Sequence, residues 1–104
     1  MQEITASELA ALGSAVLVLD VRENGEYAEA HLVGSTHIPM GEIADRVAEV
    51  PREETLYVLC HAGGRSAKVT AYLEQQGFDA INVAGGISAW QAEGRPVETG
   101  AASA

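Results

Sequence analysis

Apolar residues along the chain fall into short compact runs separated by segments where they recur at helical spacing. AVLVLDV (15–21) and TLYVLC (55–60) are the two densest runs, almost wholly aliphatic or β-branched. Runs this short, without polar alternation, predict strands buried on both faces. DAINVAGG (79–86) reads as another strand and a turn, EI (3–4) as a short strand, and STHIP (35–39) as a short strand closed by Pro39. TASELAAL (5–12) predicts a helix, with Thr5 as N-cap, Glu8 completing a capping box and Gly13 ending it. ENGEYAEA (23–30) has weaker helical character. GEIADRVAEV (41–50) places Ile43, Val47 and Val50 at helical spacing, and Pro51 stops it. RSAKVTAYLEQQG (65–77) predicts a helix of about three turns, with Val69, Tyr72, Leu73 and Gln76 on one face and Gly77 as C-cap. ISAWQAEG (87–94) reads as a last short helix, and the small, polar RPVETGAASA (95–104) as a frayed tail.

Strands thus alternate with helices. The pattern predicts an α/β domain with a mainly parallel central sheet flanked by helices on both faces. One domain is expected over residues 1–98, with 99–104 as a flexible C-terminal tail. In such sheets ligands bind at the carboxyl ends of the strands. Cys60 ends one predicted strand and Asp20 lies near the end of another, so both should lie on that edge.

Composition narrows the function classes. The 104 residues suffice for one domain, and 47% of them are hydrophobic, so the chain is no disordered acidic tail. No apolar run approaches the ~18 residues of a membrane span. The N-terminal stretch lacks the basic-then-apolar order of a signal peptide. A net charge of −9 argues against nucleic acid and anionic membranes as partners. Of the six cations, Arg65 and Lys68 follow closely on Cys60, the single cysteine. One cysteine excludes an internal disulfide. A lone thiol fits the reducing cytosol, so a cytoplasmic location is expected, and a monomer is the default for one small domain.

The segment CHAGGRS (60–66) carries the candidate chemistry. Gly63 and Gly64 admit backbone angles closed to other residues. Successive N–H groups can then converge as an anion-binding nest at the start of the following helix. A cysteine at the head of that loop would place its sulfur among the donors. Such surroundings bring thiol pKa values from ~8.5 to roughly 3.5–7.5. The competing reading makes Cys60 a small apolar residue ending a core strand.

With these residues in view, the chain resembles the rhodanese family. CHAGGRS is similar to that family's active-site loop C-x-x-G-x-R-S. LDVRENGEYAEAHLVGSTHIP (19–39) resembles its D-x-R…E-[FY]…H-[IL]…G…I-P segment, and NVAGGISAW (82–90) its late G-G…A-W element. Ala30 and Val33 depart from the usual glycine and proline of a surface connection.

The resemblance implies a rhodanese-like fold and sulfurtransferase chemistry. Cys60 would take a sulfane sulfur from thiosulfate or a similar donor, become a persulfide, and pass the sulfur to cyanide or a thiol, including a protein thiol. His61, Ala62, Gly63, Gly64, Arg65 and Ser66 would bind the substrate, with N–H groups of residues 61–66 stabilising the outer sulfur. No metal or organic cofactor is implied. Arg65 has two open readings, attraction of an anionic donor and a salt bridge to a surface carboxylate. Ser66 caps the helix or bonds the sulfur. His61 donates a proton, assists donor binding, or simply faces solvent. Asp20 and Arg22 are expected to brace the site edge. His31 and His37 lack ligand-like spacing, and Trp90 is expected in core or lid packing.

Three competitors remain at the level of sequence. Cysteine phosphatases and arsenate reductases also place cysteine at the head of an anion loop, but the related phosphatases use C-x-x-x-x-x-R, one residue longer than the C-x-x-x-x-R here. The shorter loop is expected to hold a single sulfur and exclude phosphate. A non-catalytic rhodanese-like binding module would commonly lack the cysteine. A persulfide carrier in a relay would share the chemistry and differ in its protein partner, for which the acidic surface suits a basic protein.

Overall fold

The computed structural model describes residues 1–101. The elements are β1 (Gln2–Thr5), α1 (Ala6–Ala11), β2 (Leu17–Asp20), α2 (Asn24–Glu29), β3 (Thr36–His37), β4 (Leu56–Leu59), α3 (Gly64–Gln75), β5 (Ala80–Ala84) and α4 (Gly86–Ala92). The five strands form one sheet in the order β1-β5-β4-β2-β3, and every pairing is parallel. This is the α/β architecture that the alternation of elements predicts. Among the described residues no helix is long and apolar enough to cross a membrane.

Side-chain alternation divides the core between the two faces of the sheet. Leu19, Val21, Leu56, Val58 and Ala80 pack with Val69 and Leu73 of α3 and with Ile43, Val50 and Phe78. Val18, Leu59 and Val83 face the other way, against Leu9 of α1 and Ile87 of α4. Cys60 follows β4 in the register of Leu56 and Val58 and joins the α3-side cluster.

Topology sets where a ligand can meet the sheet. β2 and β4 are neighbours. The chain leaves β2 toward β3 on one side and leaves β4 through α3 toward β5 on the other. Connections diverging from adjacent strands open a crevice at their carboxyl ends, the switch point of an open parallel sheet. The α2 connection stands on one wall of that crevice and the Cys60 loop on the other.

Local sequence explains most element ends. The expected capping box at α1 is formed: Glu8 N–H donates to Thr5 Oγ1 at 3.1 Å, and Thr5 N–H to Glu8 Oε1 at 2.9 Å. Three expectations need correction. Residues 41–50 do not form one helix. They make two 3₁₀ turns, Met40–Glu42 and Val47–Glu49, separated at Arg46, whose φ of −113° and ψ of 18° leave the helical region. A helix this short is marginal in isolation, and Gly41 weakens it further, so packing decides. The Arg46 guanidinium clasps Glu42 and Glu49 across the break.

The buried face of α3 consists of Ser66, Val69, Thr70 and Leu73, with Tyr72 half-buried. Gln76 is exposed, because the helix ends at Gln75 and Gly77, at φ +88°, turns the chain away. The stretch after α4 is not frayed through its first part. Trp90 Nε1–H donates to Pro96 O at 2.8 Å. His31 and Glu98 exchange backbone hydrogen bonds at 2.9 and 2.8 Å, and Gly100 N–H reaches Ala28 O. The rest of the expected tail, residues 102–104, lies outside the described residues.

Leu73 is wholly buried, whereas Gln76 points to solvent. Leu73→Ala is therefore expected to cost about 2–5 kcal/mol of unfolding free energy. Gln76→Ala should stay within about 0.5 kcal/mol of wild type. Urea denaturation of the two variants checks this, and a large loss at Gln76 would restore it to the packed face.

Candidate active site

The chain turns sharply after Cys60, and Gly63 makes the turn possible. Its φ is +105°, and a Cβ there would stand 3.2 Å from Gly85 N. Gly63 caps α3, which starts at Gly64, one residue before the expected Arg65. The turn carries backbone N–H groups back over the sulfur. Gly63 N–H donates to Cys60 Sγ at 3.1 Å, and the Ser66 hydroxyl donates at 3.3 Å. Cys60 is 1% exposed, beneath the exposed loop crest of His61 and Ala62.

Burial pushes the Cys60 thiol up. Hydrogen bonds from the Ser66 side chain and from the backbone of Ser66, Gly63 and Ala62 outweigh it and leave the thiol below its ordinary range. Each such bond to a charged acceptor contributes about 1.5–3 kcal/mol. Ser66 therefore bonds the sulfur directly, with its side chain fully buried.

The carbonyls of the same loop are turned outward. Cys60 O accepts from Ile87 N–H and His61 O from Ser88 N–H, both at 2.9 Å, at the start of α4. That docking requires Gly86. Its φ is +57°, and a Cβ would lie 2.4 Å from both carbonyl oxygens. Asn82 on β5 adds a third hold, donating through Nδ2 to Glu3 Oε2 at 2.8 Å and to Gly63 O at 3.3 Å.

Asp20 and Arg22 form the expected pair at the same sheet edge, both buried. Arg22 Nε and a terminal nitrogen grip the Asp20 carboxylate at 3.0 and 2.7 Å. The pair does not reach the sulfur. Asp20 is level with Leu59 and shares the parity of Val18, so its side chain lies on the face opposite Cys60. What it braces is α2, because the remaining Arg22 donors bond Glu26 O and Ala30 O.

Arg65 makes a bidentate ion pair with Glu26 at 2.6 and 2.8 Å, so the two walls of the crevice are joined. The Arg65 hydrogen bond drives Glu26 down to about 2. In return Arg65 is raised, chiefly by Glu26, with smaller effects from the Cys60 and Glu23 charges. A cleft of about 390 Å³ beside the loop is lined by Arg22, Glu26, Glu29, His61, Ile87 and Gln91. Away from the sulfur, His31 and His37 stack on opposite sides of the Tyr27 ring, at 3.9 and 4.3 Å between centroids. Trp90 packs against the α1–α4 core cluster. Among the described residues no group of three or more His, Cys, Asp or Glu comes together as a metal site.

Three supports of the loop have no assignment from the sequence alone. Gly86 and Asn82 lie in NVAGGISAW (82–90) and Glu26 in the E-[FY] element of 19–39, and nothing in those runs ties them to the Cys60 loop. Only the Gly85–Gly86 doublet carried a physical signal, since adjacent glycines mark a close backbone approach.

Gly86→Ala is expected to lose about 1–3 kcal/mol through backbone strain alone, and to slow Cys60 alkylation at neutral pH as the loop N–H groups lose their aim. Thermal melting and iodoacetamide kinetics on the same samples check both. Unchanged alkylation in a destabilised variant would separate the loop from α4.

Comparison with known proteins agrees with this geometry. The family model described as a rhodanese-like domain matches residues 5–93. A sulfurtransferase of Allochromatium vinosum is 36% identical over 83 residues, 79% of this chain and 78% of that protein. The thiosulfate sulfurtransferase GlpE of Pseudomonas aeruginosa is 36% identical over 75 residues, 71% of this chain and 68% of its own. The crystal structure of a rhodanese-related protein from Thermoplasma volcanium superposes with a TM-score of 0.90 at 35% identity, covering 94% of this chain and 98% of that one. A buried thiol ringed by backbone donors at the switch point of a parallel sheet, together with these relatives, places the chain in the rhodanese-like domain family of sulfurtransferases.

Proposed function

We propose that the protein transfers a sulfane sulfur through a persulfide on Cys60, with thiosulfate as a competent donor and cyanide or a thiol as acceptor. The observation that carries this reading is the position of Sγ under the Gly63 N–H and the Ser66 hydroxyl, where a thiolate is favoured. The thiolate attacks the outer sulfur of thiosulfate. A new S–S bond forms to Cys60, the bond to the sulfonate sulfur breaks, and its electron pair leaves with sulfite. An acceptor thiolate or cyanide then attacks the outer sulfur of the persulfide, and the electron pair returns to Cys60. Negative charge stays near the loop in both half-reactions, so the same donors serve both. His61 and Ala62, on the exposed crest, meet the donor and acceptor as they arrive.

Cys60 to Arg65 spans six residues, one short of the phosphatase loop. Arg65 is also committed to Glu26 and so is not free to clamp a phosphoryl group. Sulfur transfer is therefore favoured over phosphate hydrolysis.

Thiocyanate formation from thiosulfate and cyanide tests the proposal, with Cys60→Ala and an aryl phosphate in parallel. Wild type should turn over with the parallel-line kinetics of a ping-pong reaction. The variant should fall to background, and neither should release phosphate. Phosphate release by wild type would contradict the reading. So would intact-mass spectra with no sulfur added to Cys60 from thiosulfate or an organic persulfide.

A further inference from the structure

Glu26 holds both terminal nitrogens of Arg65, the cation nearest the sulfur loop. Each side chain is about a third exposed, so solvent screens part of the attraction, but the bidentate geometry holds the two groups together. Glu26 is also fixed from behind. Its Oε1 accepts Glu23 N–H at 3.1 Å, and its backbone carbonyl accepts from Arg22, itself locked to Asp20. The other cation at this edge, Arg22, is neutralised by Asp20. The adjoining cleft carries Glu26 and Glu29. A dianion entering the crevice therefore meets no unpaired guanidinium from either residue, on a chain of net charge −9.

We infer that Glu26 is a specificity-determining residue that sets the charge of the preferred sulfur donor. By neutralising Arg65 it handicaps dianionic thiosulfate, whose leaving group is also a dianion, and favours donors with less charge beside the sulfane sulfur. The inference rests on the proposed sulfur transfer and names its donor class: monoanionic or neutral sulfane compounds, including persulfides that release a thiolate. The geometry requires only that the carboxylate stay on Arg65. It assigns Glu26 no contact with the reacting atoms.

Thiosulfate and methanethiosulfonate make a direct pair of probes. Both present a terminal sulfane sulfur, but a methyl group replaces one oxygen in the second, so it carries one negative charge fewer and leaves as sulfinate. The readout is the ratio of their kcat/KM values, measured with cyanide as acceptor. In Glu26→Gln the ratio should move toward thiosulfate by about fivefold, mostly through KM, as expected for one unit of charge at a partly exposed site. Glu26→Asp, which keeps the charge, should hold the ratio near wild type. Loss of a merely structural contact would depress both donors together and leave the ratio where it was.

Wild type alone supplies a second reading. With Arg65 neutralised, thiosulfate kcat/KM should stay flat or rise as salt screens the acidic surface. A steep fall with salt would show Arg65 acting as a free anion receptor and would overturn the inference. An unmoved donor ratio in a folded Glu26→Gln variant would also overturn it. If neither donor nor an organic persulfide adds sulfur to Cys60 of wild type by mass, the sulfur-transfer reading itself fails. If both donors add it and the ratio does not move, only the role of Glu26 fails.

Discussion

Two hydrogen bonds determine what the cysteine can do. Cys60 O and His61 O are taken by the N–H groups of Ile87 and Ser88. Peptide groups have two ends, and holding the His61 carbonyl against α4 leaves the Ala62 N–H on the sulfur side. Without that docking, the loop carbonyls could turn toward a thiolate and repel it. Gly86 is the condition for the docking, since any Cβ there would collide with both oxygens. Gly63 then completes the turn at a backbone angle that other residues rarely adopt. The thiolate is thus hydrogen-bonded by the backbone and by one hydroxyl, while the guanidinium in the motif is bonded to Glu26.

A second level of order lies across the crevice. β2 and β4 are adjacent, and their following segments leave in opposite directions. The buried Asp20–Arg22 pair fastens the α2 wall, and Glu26 on that wall reaches Arg65 on the other. A buried ion pair contributes little net stability by itself. Its effect here is positional, because Arg22 spends its remaining donors on carbonyls at Glu26 and Ala30. The same chain of contacts leaves neither Arg22 nor Arg65 unpaired.

The fold was legible where the signal was local or strongly periodic. The runs ending at Val21 and Cys60 read as buried strands because they face helices on both sides. The capping box at Thr5 and Glu8 is written in adjacent residues. The Cys60 loop was legible because its glycines and helix start follow in sequence. The 41–50 segment was not, because its helical spacing is real but Arg46 breaks the backbone between two turns. Gln76 was misplaced because periodicity cannot locate the last residue of a helix. The roles of Glu26, Asn82 and Gly86 depend on pairings far apart in sequence, of which the Gly85–Gly86 doublet alone gives a local sign. Arg65 was legible as a cation at the loop, but its partner was not.

The most direct test of the account is the pH titration of the Cys60 thiolate, followed by alkylation rate in wild type and in Ser66→Ala. Hydrogen bonds that favour the charged form lower a thiol pKa, and removing one donor raises it. The wild-type midpoint should lie below that of a free thiol, and the midpoint of the folded variant should be displaced upward. A wild-type midpoint at or above that of a free thiol would contradict it, as would a variant that titrates where wild type does.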